Sequence, residues 1–185
     1  SSKEKMKIEF IRDSYTRYFA SHRDEIMGAL ESCLSRGELM LRPETWQFEE
    51  DFAKFVGAKY CTTVNSGTDA LFLSLKALGI GPGDEVIVPS HTFIASLQAI
   101  VHTGATPVLI DVGEDELMNV ELLPKLITTR TKAIMPVHLT GAVCDMEEIM
   151  RVDNEKHLYV VEDAAQALGA SQNGKAAGSF GHAGC

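Results

Sequence analysis

The hydrophobic pattern downstream of residue 84 alternates between two kinds of segment. Short apolar runs rich in β-branched residues lie at positions 85–88, 107–110, 133–137 and 158–161. Such nearly continuous runs are typical of strands that are covered on both faces. Segments with a helical pattern separate them, at positions 93–102, 120–127 and 146–152. The alternation predicts an α/β fold, in which a mostly parallel sheet carries helices on both faces and the crossovers are right-handed.

The pattern upstream of residue 84 predicts two helices and one strand. Positions 45–56 are amphipathic and end at Gly57, and positions 66–78 predict a second helix that ends at Gly79. Between them, the run at positions 60–64 predicts a short strand.

The first forty residues have a more polar pattern than the rest of the chain. They contain one or two predicted polar helices, followed by an irregular linker at positions 35–43. We therefore divide the chain into an N-terminal helical arm, residues 1–43, and a main domain, residues 44–185. The arm is expected to pack on the main domain or on a partner.

Composition and charge narrow the class of protein. The 185 residues are 45% hydrophobic and 23% charged, which fits a folded domain and argues against disorder. The net charge of −9 argues against a nucleic-acid or anionic-membrane surface. No apolar window is long enough to cross a bilayer and no signal-peptide pattern is visible, so we expect a cytoplasmic protein. The cysteines have neither metal-site nor disulfide-framework spacing and are expected to be free thiols: Cys33, Cys61, Cys144 and Cys185.

The junction between the predicted strand at 60–64 and the helix that follows is a candidate anion site. Helix N-termini offer N–H groups without partners and the positive end of the helix dipole. Gly67 allows a ligand to approach the backbone closely, and the hydroxyls of Ser66 and Thr68 add donors, so the junction suits a phosphate. The alternative is an ordinary Ser or Thr N-cap followed by a glycine. The pattern is neither a Walker P-loop nor a GxGxxG fingerprint.

Two further candidates follow predicted strands, where ligands bind in open α/β sheets. Asp163 comes directly after the run at 158–161, where it is suited either to pair with a cation or to cap a following helix; Gln166 is suited to hydrogen-bond a ligand. Phe93 follows the run at 85–88, and it is suited either to lie against a planar ring or to fill the core.

Taken in order along the chain, these segments resemble the DegT/StrS family of pyridoxal-phosphate (PLP)-dependent aminotransferases. The resemblance runs from about residue 48 to residue 185. It is carried by NSGTDAL at 65–71, GIGPGDEVIVP at 79–89, TF at 92–93, PVHL at 136–139 and EDAAQ at 162–166. It implies the large domain of the fold type I PLP aminotransferases, here incomplete.

The resemblance also implies a role for each candidate residue. Gly67 and Thr68 match the positions that hold the phosphate of pyridoxal 5'-phosphate, and Phe93 matches the aromatic residue stacked on its ring. Asp163 matches the partner of the ring nitrogen, and Gln166 matches the residue that contacts the ring's 3-oxygen.

The activity implied by the resemblance is transfer of an amino group, with glutamate as donor, to a nucleotide-linked keto sugar by a homodimer. The Schiff-base lysine is expected just beyond Cys185, so the 185 residues alone are expected to be inactive. Two alternatives remain open: a sugar dehydratase of the same fold, with histidine in place of that lysine, and a non-catalytic sensing or scaffold homologue. The sequence departs from the family pattern at His182, where an acidic residue is usual, and at positions 41–44.

Overall fold

The computed structural model describes residues 11–37 and 42–185. The chain divides into two compact units, Ser1–Trp46 and Gln47–Cys185. Positions 1–10 and 38–41, which belong to the predicted arm, lie outside the described residues. None of the described helices combines the length and apolar character that crossing a membrane requires.

Apart from positions 60–64, the described helices and strands up to residue 162 follow the order that the hydrophobic pattern predicts. The three short strands after residue 170 were not predicted. The helices are α1 (Ile11–Ser35), α2 (Pro43–Val56), α3 (Gly67–Ala77), α4 (Ile94–Thr103), a 3-10 turn (Val120–Leu122) continued by α5 (Leu123–Leu126), and α6 (Met146–Lys156). The strands are β1 (Glu85–Pro89), β2 (Thr106–Ile110), β3 (Thr131–Ile134), β4 (Tyr159–Glu162), β5 (Ser171–Gln172), β6 (Lys175–Ala176) and β7 (Ala183–Gly184).

Five of these strands form one sheet in the order β2-β1-β3-β4-β7. Every pairing in it is parallel, with Val86 opposite Pro107 and Ile134 opposite Val160. Strands β5 and β6 form a separate antiparallel hairpin. The prediction of a mostly parallel α/β sheet is therefore confirmed.

The strand side chains alternate between two apolar clusters, one on each face of the sheet. Val86 and Val88 of β1 pack on the side of α3 and α4, with Leu71 and Leu75. Ile87 of β1 packs on the opposite side, in the cluster that contains residues of α5 and α6. Because both faces are covered, β1 and β4 carry apolar residues at most positions, as the nearly continuous runs in the sequence indicate.

The predicted strand at positions 60–64 is wrong. These residues have extended or irregular backbone and pair with no strand in the described part of the chain. Thr63 instead donates its backbone N–H and its hydroxyl to the Glu49 carboxylate, at 2.7 and 2.8 Å. An apolar run forms a strand only where a neighbouring strand supplies hydrogen-bond partners, and none of the described strands does so.

The strand predicted at 133–137 is displaced towards its N-terminus. Strand β3 covers Thr131–Ile134, and Val137 forms an isolated parallel bridge with Asp163. Pro136 lacks the N–H that a continuous ladder needs, which accounts for the interruption.

Two glycines that terminate helices allow the cost of a crowded site to be separated from the cost of backbone strain. Gly79 and Gly104 both have left-handed backbone, with φ of +77° and +88°. An added Cβ at Gly79 would meet nothing within 4 Å, whereas at Gly104 it would lie 2.8 Å from Cγ of Pro82.

We expect Gly79→Ala to lower the free energy of unfolding by about 1–2 kcal/mol, the cost of a left-handed backbone for an L-residue. Gly104→Ala should lower it by about 1–3 kcal/mol more, because overpacking is added. Urea unfolding of the two variants of the full-length protein measures the difference. Equal losses would show that Pro82 moves aside without cost.

Candidate functional site

A cleft of about 490 Å³ lies where the carboxyl ends of β1, β3 and β4 meet the N-terminus of α3. All five residues that the sequence singles out line this cleft: Gly67, Thr68, Phe93, Asp163 and Gln166. They come from three separate segments of the chain, which the parallel sheet brings to one edge.

The N-terminus of α3 forms one wall of the cleft. Ser66 is the N-cap: its Oγ accepts the backbone N–H of Asp69 at 3.1 Å and donates to the Asp69 carboxylate at 3.0 Å. The N–H groups of Gly67 and Thr68 have no hydrogen-bond partner among the described residues. A Cβ on Gly67 would meet nothing within 4 Å, so the space beside the backbone is open. Ser66 can therefore cap α3 while the N–H groups of Gly67 and Thr68 remain available to an anion.

Asp163 forms the floor of the cleft and is only 7% exposed. Its Oδ2 accepts the hydroxyl of Ser96 at 2.8 Å, and its Oδ1 accepts the N–H of Ala165 at 3.3 Å. Residues 164–170, which follow it, form turns and no helix, so the interpretation as a helix cap is wrong. Within residues 11–37 and 42–185, no lysine or arginine forms an ion pair with it. A buried carboxylate without a cationic partner is suited to bind a ligand cation.

The side chains of Phe93 and Gln166 complete the accessible wall. Phe93 directly precedes α4 and is 70% exposed, so the interpretation as a core phenylalanine is wrong. Gln166 is also exposed. An exposed aromatic ring and an exposed amide beside a buried carboxylate suit a planar ligand that carries polar substituents.

The residues that orient Asp163 were not found by the sequence reasoning. Ser96 is fully buried on α4, and its Oγ also lies 2.8 Å from Oγ1 of Thr92, four residues earlier. The spacing of two hydroxyl residues four apart is a weak signal, since serines on helices are common. Only the fold shows that Ser96 reaches a residue 67 positions away.

A second buried carboxylate lies directly behind the cleft and was also missed. Glu162 is fully buried. Its Oε1 accepts the N–H groups of Phe180 and Gly181, both at 2.6 Å. Its Oε2 accepts the N–H of Gly178 at 2.8 Å and lies 3.2 Å from Nε2 of His138. Four donors therefore converge on one carboxylate, and three of them come from the loop that leads to β7.

The ring of His138 is held in one tautomer by its two neighbours. The N–H of Cys144 points at Nδ1 from 3.1 Å, which requires that nitrogen to be unprotonated, and Nε2 then donates its proton to Glu162. Burial lowers the pKa of His138, but its contacts with Cys144 and Glu162 outweigh burial and raise that pKa, whereas the Cys144 N–H directed at Nδ1 favours the neutral ring. The histidine thus joins the loop after β3 to the end of β4.

Cys185 closes the cleft on the side of β7. Its Sγ lies 3.4 Å from Oγ of Ser74 on α3. Burial raises the pKa of the Cys185 thiol to about 11, and the carboxylates of Asp163 and Glu162 act in the same direction. The thiol therefore stays protonated near neutral pH and acts as an apolar wall with one weak hydrogen bond.

His182, the departure from the family pattern, has a structural contact of its own. Its Nδ1 accepts the N–H of Val160 at 3.1 Å, and its ring meets Tyr159 edge to face at 5.1 Å. An acceptor is thus present where the family usually has an acidic residue. Of positions 41–44, the other departure, Leu41 lies outside the described residues.

Comparison with known proteins relates this site to one family. The model of the DegT/DnrJ/EryC1/StrS aminotransferase family matches residues 20–185. The chain is 53% identical over 137 residues to GDP-perosamine synthase of Caulobacter vibrioides, covering 73% of this chain and 37% of that protein. It is 46% identical over 169 residues to UDP-N-acetyl-3-dehydro-alpha-D-glucosamine 3-aminotransferase of Acidithiobacillus ferrooxidans, covering 91% and 46%. The chain therefore spans less than half the length of these curated relatives.

Solved structures agree with the sequence comparison. The structure of DesV from S. venezuelae superposes with a TM-score of 0.87 at 45% identity, over 89% of this chain and 44% of that one. The PLP form of the sugar aminotransferase Spr1654 of Streptococcus pneumoniae superposes with a TM-score of 0.75 at 37% identity, over 78% and 41%.

Proposed function

Because the chain belongs to the DegT/DnrJ/EryC1/StrS aminotransferase family, we propose that the protein is a PLP-dependent aminotransferase that places an amino group on a nucleotide-linked keto sugar. The fold is that of the aminotransferase structures it matches. The names of the curated relatives support a nucleotide-sugar substrate. The family match favours transamination over the dehydratase and non-catalytic alternatives.

The observation that carries the proposal is the buried Asp163 carboxylate, which faces the cleft without a cationic partner in the described part of the chain. The residues present fit PLP in chemical terms. The N–H groups of Gly67 and Thr68 suit its phosphate. The Asp163 carboxylate suits a protonated ring nitrogen, and the Phe93 ring suits a flat heterocycle. The Gln166 amide suits the 3-oxygen.

When bound, PLP acts as an electron sink for the bonds of the attached amino group. The task of Asp163 is to keep the ring nitrogen protonated through an ion pair in a site shielded from water. Its burial strengthens that pair, because the charges are poorly screened. The fixed carboxylate costs no reorganisation when charge develops on the ring. The Phe93 ring would offer a flat apolar surface to the cofactor ring, and the N–H groups at the N-terminus of α3 would hold the phosphate.

The proposed amino donor, oligomeric state and cellular location rest on the family resemblance, on exposed apolar side chains and on the free cysteines. Glutamate is proposed as the amino donor. A homodimer is supported by the large apolar side chains that α3 and α4 expose, such as Leu73, Ile94 and Val101. The described cysteines are free thiols, which suits the reducing cytoplasm.

The test uses the full-length protein with PLP, glutamate and a nucleotide-linked keto sugar. We expect PLP to bind and 2-oxoglutarate to form only when PLP is present. Thr68→Val should weaken PLP binding about tenfold, as expected for the loss of one hydrogen bond to a charged group. Spectrophotometric titration measures the dissociation constant.

Thr62→Val is the matched control, because Thr62 is exposed in the segment before α3 and does not line the cleft. It should bind PLP as the unaltered protein does. A full-length protein that neither binds PLP nor releases 2-oxoglutarate would contradict the proposed function.

A further inference from the structure

Two hydroxyl groups and one carboxylate form a chain at the floor of the cleft. Oγ1 of Thr92 lies 2.8 Å from Oγ of Ser96, and Oγ of Ser96 lies 2.8 Å from Oδ2 of Asp163. Ser96 is fully buried and Asp163 nearly so, while Thr92 is partly buried at the cleft.

The direction of these hydrogen bonds follows from chemistry. An ionised carboxylate only accepts, so Ser96 must donate its single proton to Asp163. The oxygen of Ser96 is then left to accept, and Thr92 donates to it. The two hydroxyl dipoles therefore both point towards the carboxylate, and hydrogen bonds arranged in such a row strengthen one another.

The same contacts fix the plane of the carboxylate. Ser96 holds Oδ2, and the N–H of Ala165 holds Oδ1. Rotation about the bond between Cβ and Cγ would break both hydrogen bonds. Each oxygen keeps a second lone pair for a ligand in the cleft.

The hydroxyl of Ser96 is not used to stabilise its own helix. Serines near a helix N-terminus commonly bond to neighbouring backbone groups. Helix α4 instead begins at Ile94, its N-cap Phe93 makes no side-chain hydrogen bond, and the hydroxyl of Ser96 reaches across to the end of β4. The hydroxyl of Ser96 therefore serves as a hydrogen-bond donor to Asp163 and does not stabilise the start of α4.

We propose that Ser96 is a positioning residue, which, supported by Thr92, holds Asp163 as an oriented carboxylate towards the cation of a bound cofactor. The cofactor identity rests on the proposed function. The orientation of Asp163 does not, so the two are tested separately.

The first measurement uses crystals of the full-length protein without added PLP. In Ser96→Ala we expect the Asp163 side chain to occupy more than one conformer, because Oδ2 has lost its donor. In Ser96→Thr, which keeps the hydroxyl, Asp163 should keep the single conformer of the unaltered protein.

The second measurement is PLP affinity of the same variants. Ser96→Ala should raise the PLP dissociation constant about tenfold, the range for a hydrogen bond to a charged group, and Ser96→Thr should stay within about twofold. Thr103→Val is the matched control, since Thr103 is also buried on α4, but its hydroxyl donates to the carbonyl of Ile100 and lies outside the cleft lining. It should leave the affinity unchanged.

The outcomes separate the two claims. A single unchanged Asp163 conformer together with unchanged PLP affinity in Ser96→Ala would overturn the role of Ser96. If the unaltered protein binds no PLP, the proposed function fails, and the conformers of Asp163 alone decide the role of Ser96. Should Ser96→Ala not fold, Ser96→Cys replaces it, because a thiol is a weak donor of nearly the same shape. Affinity equal to the unaltered protein would then contradict the inference.

Discussion

Replacing Asp163 by asparagine is expected to lower kcat of the full-length protein for amino transfer by about 10²-fold or more, the range seen when one preorganised charge-stabilising group is removed. Asparagine has nearly the same shape and retains an acceptor for one of the two present hydrogen bonds. Ser96 can turn its hydroxyl to accept from the new amide. The substitution removes the negative charge that faces the cleft. We therefore expect it to lower kcat and to leave the stability of the fold unchanged.

The control for this experiment is Asp111→Asn. Asp111 also follows a parallel strand directly, but it is exposed, is hydrogen-bonded to Ser90 and does not line the cleft. Its replacement should leave kcat and the melting temperature unchanged. Full activity in Asp163→Asn, with the protein folded and PLP bound, would show that the carboxylate charge has no part in the reaction.

The largest effect on stability is expected from Glu162→Gln. The carboxylate accepts four donors, from Gly178, Phe180, Gly181 and His138. A glutamine offers one acceptor oxygen and one NH₂ group, so one pair of donors would face another donor inside the protein. Each buried group left without a partner costs about 1–3 kcal/mol, so two unpaired donors should together cost about 2–6 kcal/mol.

Equilibrium urea unfolding of the full-length protein measures this loss. Glu155→Gln is the control, because Glu155 is exposed on α6 and pairs only with Arg151 at the surface. It should change the unfolding midpoint little. A Glu162→Gln midpoint equal to that of the control would mean that water replaces the missing acceptor.

The strands of the sheet were predictable from the sequence because both faces of the sheet are covered. Burial on both sides favours apolar residues at consecutive strand positions, and this is visible in the runs that became β1 and β4. The run that became the edge strand β2 is apolar as well, although that strand is only partly buried. The run at 60–64 satisfies the same pattern but lacks a neighbour. The sequence pattern reports burial and side-chain shape, whereas strand formation also depends on a hydrogen-bonding partner that the pattern does not identify.

The residues in and behind the cleft also differ in whether the sequence pattern reveals them. Asp163 and Phe93 were found because their places directly after strands are readable from the chain, and the fold then brings strand ends together. Ser96 and Glu162 were not, because their partners are distant in sequence. The partners of Glu162 are mostly backbone N–H groups, which every residue except proline possesses and which the sequence letters do not distinguish.

Glu162 and Asp163 are consecutive residues whose carboxylates serve opposite faces of one strand end. An insertion or deletion of a single residue in β4 would exchange the two faces. A deletion would place Asp163 among the four donors, and an insertion would place Glu162 at the floor of the cleft. Grafting this site onto another scaffold therefore requires the acidic pair, the Gly178–Gly181 loop and Ser96 to be moved as one unit, in register.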